Sequence, residues 1–196
     1  MFLQKKKLTV KHHDDYVFEK AYWGNCCNTF YEDQKHYVYA KYMGLKQTHS
    51  SFNVHGKTIL DIGGGPSSML LKCINLTKGK VVDPIEYPKW TRDRYYLNNI
   101  DVDVDMGENV NETGWDETWI YNCLQHTVDI QKIIDNAKHA SKVLRIFEWI
   151  NIPPHDGHPI ELTESLLDTL IGQKGNTVQL AESGCYGTAY YGCFIL

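Results

Sequence analysis

Several features are missing from this sequence, and each absence narrows what the chain can be. No stretch approaches the roughly twenty consecutive apolar residues of a membrane span, and the first residues lack the apolar run of a secretory leader. The six cysteines (Cys26, Cys27, Cys73, Cys123, Cys185, Cys193) form no Cys-x-x-Cys pair, so they read as reduced thiols behaving as small hydrophobes. There is no excess of positive charge: the formal net charge is −4, which argues against broad binding to a phosphate backbone. The Lys5-Lys6-Lys7 cluster reads as a solvated N-terminal end. Proline is scarce, at six residues, and internal repeats, linkers and low-complexity segments are lacking. These absences point to a cytoplasmic protein with no membrane role and weigh against a nucleic-acid partner. The Asn75-Leu76-Thr77 and Asn111-Glu112-Thr113 triplets match a glycosylation pattern, but nothing else suggests secretion.

What is present suits an ordered globular fold. The chain has 196 residues, 42% hydrophobic and 22% charged, enough for one domain with a sizeable core, read as residues 1–196. Its centre is Thr58-Ile59-Leu60-Asp61-Ile62-Gly63-Gly64-Gly65-Pro66-Ser67-Ser68. The apolar, β-branched beginning predicts a buried strand. The glycines predict a tight turn that a ligand can approach without a Cβ in the way. Pro66 suits the first position of a helix expected to run to about Leu76, whose N-terminal N–H groups would attract a negative or polar ligand. A dinucleotide fingerprint would need G-x-G-x-x-G; Gly63 and Gly65 fit, but the third position is Ser68. About twenty residues past Gly63, Lys80-Val81-Val82-Asp83-Pro84 reads as a strand ending in an acid.

Elements alternate along the rest of the chain. Thr29-Phe30-Tyr31-Glu32 reads as a capping box, opening a helix stopped by Gly44, with Tyr31, Lys35, Val38, Tyr39 and Tyr42 along one face. That helix is either an ordinary packing face or a lid over a ligand site, with Tyr22, Trp23, Asn28 and Thr29 as lid or substrate-wall residues. Residues 45–57 read as a polar connection. A helix is predicted over Tyr87–Asn98, an edge strand at Ile100–Asp105, a strand at Glu117–Asn122, a helix from Asp129 with Ile130, Ile133, Ile134 and Ala137 on one face, and a strand at Lys142–Ile150. Glu148, near the end of that last strand, either points into the crevice where α/β sheets bind ligands or pairs with Arg145. Thr163 caps a helix to Ile171, and two strands, Asn176–Glu182 and Gly187–Leu196, close the chain. Adjacent His12-His13 with Asp14-Asp15 would not converge on one point of a helix, and the sequence gives no metal site. His155 and His158, with Asp156 in the Pro153–Pro159 loop, are open as metal ligands lacking an evident third partner, acid–base groups, substrate contacts or plain surface residues.

The Asp61-x-Gly63-x-Gly65 pattern, with Asp83 at the end of the next strand, resembles motif I of class I S-adenosylmethionine (SAM) dependent methyltransferases. The resemblance covers roughly Thr58 to the C-terminus and implies a Rossmann-like α/β fold: a seven-stranded, mostly parallel sheet in the order 3-2-1-4-5-7-6, sandwiched by helices. Residues 58–196 would be the SAM-binding core and residues 1–50 an N-terminal helical lid. It implies that Asp61, Gly63, Gly64 and Gly65 lie against the methionine part of SAM, that Asp83 with Pro84 holds the ribose, and that Gly107 and Glu108 flank the adenine. Asn122 ends the fourth strand near the sulfonium. The segment Cys123-Leu124-Gln125-His126 looks like motif IV of the small-molecule enzymes, and His126 is the first candidate for a base, since a pKa near 6.5 suits that task. His155 and His158 follow. The implied function is methyl transfer to a small-molecule acceptor. Alternatives are a SAM-binding protein without transfer, a methyltransferase acting on protein or nucleic acid, and an NAD-type oxidoreductase, which the missing third glycine disfavours.

Overall fold

A computed structural model describes residues 16–155 and 157–196; the His12–Asp15 cluster and Asp156 lie outside them. In chain order the elements are α1 (Tyr16–Trp23), α2 (Cys26–Tyr42), β1 (Gln47–Thr48), β2 (Ser51–Asn53), β3 (Thr58–Ile62), β4 (Cys73–Ile74), β5 (Lys78–Asp83), α3 (Lys89–Leu97), β6 (Ile100–Val104), β7 (Glu117–Tyr121), α4 (Ile130–Ala140), β8 (Val143–Ile150), α5 (Glu164–Ile171), β9 (Asn176–Glu182) and β10 (Cys185–Ile195). Seven strands form one sheet in the order β6-β5-β3-β7-β8-β10-β9. Counting only this sheet's own strands, that is 3-2-1-4-5-7-6. Five strands run parallel, and β10 enters antiparallel between β8 and β9. A separate three-stranded sheet, β1-β2-β4, was not foreseen; the expected polar connection at 45–57 supplies two of its strands.

Two apolar layers cover the sheet. On one face Ile133, Ile134 and Ala137 of α4 pack with Leu167 and Ile171 of α5 against Leu60, Ile120 and Ile146. On the other, Val38, Tyr39 and Met43 from α2 and its cap pack with Phe52 and Tyr95 against Ile59, Trp119 and Phe147. Burying each of the Val, Leu, Ile, Phe and Met side chains among them fully contributes about 1.5–3 kcal/mol. Helix ends follow the expected chemistry at α4 and α5: Asp129 accepts from the Lys132 N–H at 3.0 Å, Thr163 from the Leu166 N–H at 3.2 Å, and Gly172 leaves α5 at φ 80°.

Two expectations fail here. The helix after the glycine turn is absent. Instead Met69–Lys72 makes a short 3-10 turn capped by Ser68, and the chain passes directly into β4. The pairing of Cys73 with Phe52 on β2 takes the backbone that a longer helix would have used. The capping box is also misplaced. Asn25 caps α2, accepting from the Cys27 N–H at 2.9 Å, so the helix starts earlier and Thr29 and Glu32 lie inside it. Asn ranks above Thr as a cap, and the upstream one prevails. The buried stripe of α2 is accordingly partly polar, with Thr29, Glu32 and His36, while Tyr31 is 64% exposed.

Candidate active site

The C-terminal ends of β3, β5 and β7 open into a cleft of about 850 Å³. The glycine turn forms its floor, Asp83 and Pro84 one wall, Gly107 and Glu108 another, and Asn122 and His126 a third; Trp23 of α1 and His36 of α2 close over it. The turn is shaped by its neighbours as much as by any ligand. A Cβ on Gly63 would lie 2.2 Å from Cys123 Sγ, and one on Gly64 2.5 Å from Asp61 Oδ2; Gly65 meets nothing closer than 3.8 Å. Packing therefore dictates the first two glycines, and Gly65 leaves open space toward the cleft, at φ 63°.

Tyrosine hydroxyls pin this turn. Tyr95 OH donates to the Gly65 carbonyl at 2.6 Å and accepts from the Ser68 N–H at 2.8 Å. Tyr121 OH donates to Asp61 Oδ2 at 2.6 Å and accepts from the Met69 N–H at 2.9 Å. Asp61 also accepts from Ser68 Oγ at 2.5 Å. Fully buried, Asp61 does not line the cleft. It holds the turn from behind, a correction to its reading as a cofactor contact, and burial pushes its pKa up to about 7. The sequence's only hint of the tyrosine network is its thirteen tyrosines.

Asp83 does line the cleft. Its two oxygens accept from the Gly65 and Ile85 N–H groups, both at 3.0 Å, which fixes the carboxylate's orientation and leaves acceptor capacity, since an ionised carboxylate has about four lone-pair sites. Burial raises its pKa to about 6 against these hydrogen bonds and that of the Tyr87 hydroxyl. Glu108 reaches the cleft wall, but its Oε1 accepts from the Val128 and Asp129 N–H groups at 3.0 and 3.1 Å, tying the α4 entry to the wall.

The exit of β7 carries the candidate base. Asn122 takes a left-handed φ of 49°, a conformation Asn tolerates better than most residues. It donates to Glu32 Oε1 at 3.1 Å and accepts from Gln125 at 3.1 Å. The following 3-10 turn, Leu124–His126, is held by Glu148, which accepts from the Cys123 and Leu124 N–H groups at 3.1 Å. Glu148 is fully buried and lines neither this cleft nor a neighbouring one bordered by Trp149 and Tyr186; its placement in the substrate wall is corrected to a support beneath His126. Nor does it pair with Arg145, whose guanidinium forks onto Glu117 at 2.7 and 3.0 Å. Burial pushes the Glu148 pKa up to about 8.

His126 Nδ1 lies 2.5 Å from the Gly157 carbonyl. A carbonyl only accepts, so Nδ1 carries the proton and Nε2 keeps its lone pair, approached only by the Gln125 amide at 3.3 Å. Glu19 Oε1 is 3.5 Å from Nδ1. Burial lowers the His126 pKa, keeping the ring neutral. The structure also brings His158 to a ring-centroid distance of 4.5 Å from His126, and His155 to 4.4 Å from His158; His158 borders a second cleft, whereas His155 is exposed and borders neither.

Of the lid residues, Trp23 borders both clefts and Tyr22 the second. Asn28 and Thr29 border neither and instead bond the Tyr22 and Trp23 carbonyls at 2.7 and 3.5 Å, fastening α1 to α2. His36, inside α2, carries no signal in the sequence. It is fully buried and walls the first cleft; Lys72 Nζ stands 3.5 Å from its Nδ1, and its Nε2 has no protein partner.

No protein-family model matches the chain, and no curated protein matches it in sequence. Solved structures do match in fold. A 1,6-didemethyltoxoflavin N1-methyltransferase from Burkholderia thailandensis, solved with S-adenosylhomocysteine, is 13% identical with a TM-score of 0.60, over 90% of this chain and 84% of that one. A SAM-dependent methyltransferase from Aquifex aeolicus is 16% identical with a TM-score of 0.56, over 87% and 99%. The O-methyltransferase NcsB1 of neocarzinostatin biosynthesis, solved with SAM, is 18% identical with a TM-score of 0.58, over 93% of this chain and 59% of its own. The chain also spans 63% of a similar Anabaena variabilis protein. The fold is therefore the Rossmann-like fold of class I SAM-dependent methyltransferases. No helix among the described residues is long and apolar enough to cross a membrane.

Proposed function

We propose that this chain is a SAM-dependent methyltransferase acting on a small-molecule acceptor, with the cofactor in the glycine-turn cleft. The observation that carries the reading is the convergence of three strand ends on one cleft: the open face of Gly65, the oriented carboxylate of Asp83, and the neutral His126 on the far wall. The residues present fit the cofactor. Ile62, Val82, Ile85 and Ile133 supply apolar wall for a base, Asp83 keeps lone pairs for vicinal hydroxyls, and the unpartnered His36 Nε2 meets the need of a polar amino-acid end. When bound, SAM supplies a methyl group already activated by its sulfonium.

The protein's own task is then alignment and proton handling. Holding two reactants in line can supply roughly 7–11 kcal/mol of the barrier. His126 Nε2, oriented by the Gly157 carbonyl, would take the proton of a protonated acceptor, and Glu148 and Asn122 keep the turn beneath it in place. We read residues 1–196 as one domain, the N-terminal helices as its lid, and the protein as cytoplasmic, on six unpaired thiols. The test is release of S-adenosylhomocysteine from SAM, followed by mass spectrometry against a panel of hydroxyl, amine and thiol acceptors. Acceptor-dependent release supports the reading. SAM that binds and never turns over with any acceptor would leave a binding protein in its place.

A further inference from the structure

Next to the cofactor cleft lies a second cleft of about 950 Å³. Glu19, Trp23, Glu32, Asn122 and His126 border both, so the candidate base stands at the junction. The further walls come from separate parts of the chain: Trp149 at the end of β8, His158 in the loop after it, and Tyr186 on β10.

Resting on the reading above, we propose that this second cleft is the acceptor site, and that it takes a planar aromatic molecule presenting a hydroxyl or amino hydrogen-bond donor and carrying no anionic group. Two features of the cleft lead there. Its apolar surface is mostly aromatic: Trp23 and Trp149 wall it beside Ile152, and Tyr22 and Tyr186 at its edge are 41% and 73% exposed, surface that a flat ring would cover. Its polar side chains are mostly acceptors. Glu19, whose Oε2 takes the Trp23 indole N–H at 2.8 Å, keeps lone-pair capacity on Oε1, which faces His126 Nδ1 at 3.5 Å; His126 Nε2 meets the Gln125 amide at a long 3.3 Å; and His158 Nδ1 is buried without a partner. The cation there, Lys35, is 3.0 Å from Glu32, which leaves Glu19 without a matching positive charge in the cleft. An anionic ligand would meet that carboxylate, whereas a donor would satisfy it. A site built on polar acceptors rejects an analogue that lacks the donor, because its own groups then go unpaired.

The test uses the full chain saturated with S-adenosylhomocysteine and three matched probes, 2-naphthol, 2-methoxynaphthalene and 2-naphthoate, titrated by calorimetry and tryptophan fluorescence. The expected order is naphthol tightest, the methyl ether at least tenfold weaker, and naphthoate weaker still. Tyr186→Ala and Trp149→Ala each weaken naphthol severalfold, with S-adenosylhomocysteine binding measured alongside as the check of folding. Equal binding of naphthol and its ether, preference for naphthoate, or binding of no probe by protein that holds S-adenosylhomocysteine would overturn the proposal while leaving the cofactor reading intact. Failure to bind S-adenosylhomocysteine would instead remove the reading beneath it.

Discussion

Replacing Gly63 by alanine tests the claim that the glycine turn is shaped by the end of β7 as well as by a ligand. Two costs add. Gly63 sits at φ 76°, and a side chain in that left-handed region costs roughly 1–2 kcal/mol. The new Cβ would also fall 2.2 Å from Cys123 Sγ and 2.7 Å from Cys123 Cβ, a distance at which the neighbour has to move; overpacking of this kind costs about 1–3 kcal/mol. Together the loss is about 2–5 kcal/mol, a large share of a typical domain's stability. Removing the sulfur in Cys123→Ala relieves the closest contact but not the Cβ contact or the torsional cost. The double variant should therefore recover about 1 kcal/mol or more relative to the sum of the two single changes, a coupling that a double-mutant cycle isolates. Urea denaturation of the four proteins measures it. A Gly63→Ala protein within 0.5 kcal/mol of wild type, or single effects that simply add, would refute the reasoning.

Glu148→Gln probes the buried acid beneath His126. Its folded pKa, about 8, lies above the usual carboxylate value of 4.5, so the stability it contributes is full below about pH 4.5 and is lost as pH rises through 8, at up to about 1.4 kcal/mol per unit. The Gln variant should flatten that part of the profile in denaturation series from pH 5 to 8; an unchanged slope would count against the buried-acid account. His126→Gln should lower methyl transfer to a protonated acceptor by about 10²–10⁴ while sparing SAM affinity. Because burial lowers the His126 pKa, the wild-type rate should hold at neutral pH and fall only below the ordinary histidine range, which a pH–rate profile reads. Thr163→Ala should cost about 1 kcal/mol through the lost α5 cap, visible as a shift of the urea midpoint.

The strands and the glycine turn were legible because they depend on local signals; the strand order came only with the family resemblance. The β3 run, the glycines and the β5 acid each follow from residue type and spacing, and α4 shows its apolar face at helical period. What escaped depends on distant partners. The segment after Pro66 was read as a helix because nothing in it announces that Cys73 will pair with Phe52. Asp61 and Glu148 were placed in the site by their position at strand ends, yet both turn inward, onto Ser68 and Tyr121 in one case and onto backbone N–H groups in the other. His36 was passed over since a histidine within a polar helix carries no spacing signal; only the approach of Lys72, from beyond the glycine turn, makes it distinctive. The Thr29 cap lost to Asn25, an upstream residue that ranks above Thr as a cap but lacks the Glu three positions on that made Thr29 conspicuous.

The most direct test of the cofactor assignment is calorimetric titration with SAM and S-adenosylhomocysteine, using wild type and Asp83→Ala, with NAD as the control. The account predicts that wild type binds both sulfur ligands and not NAD, and that Asp83→Ala, still folded, loses at least tenfold in affinity for each. Binding of neither by the folded wild type, or preference for NAD, would contradict it.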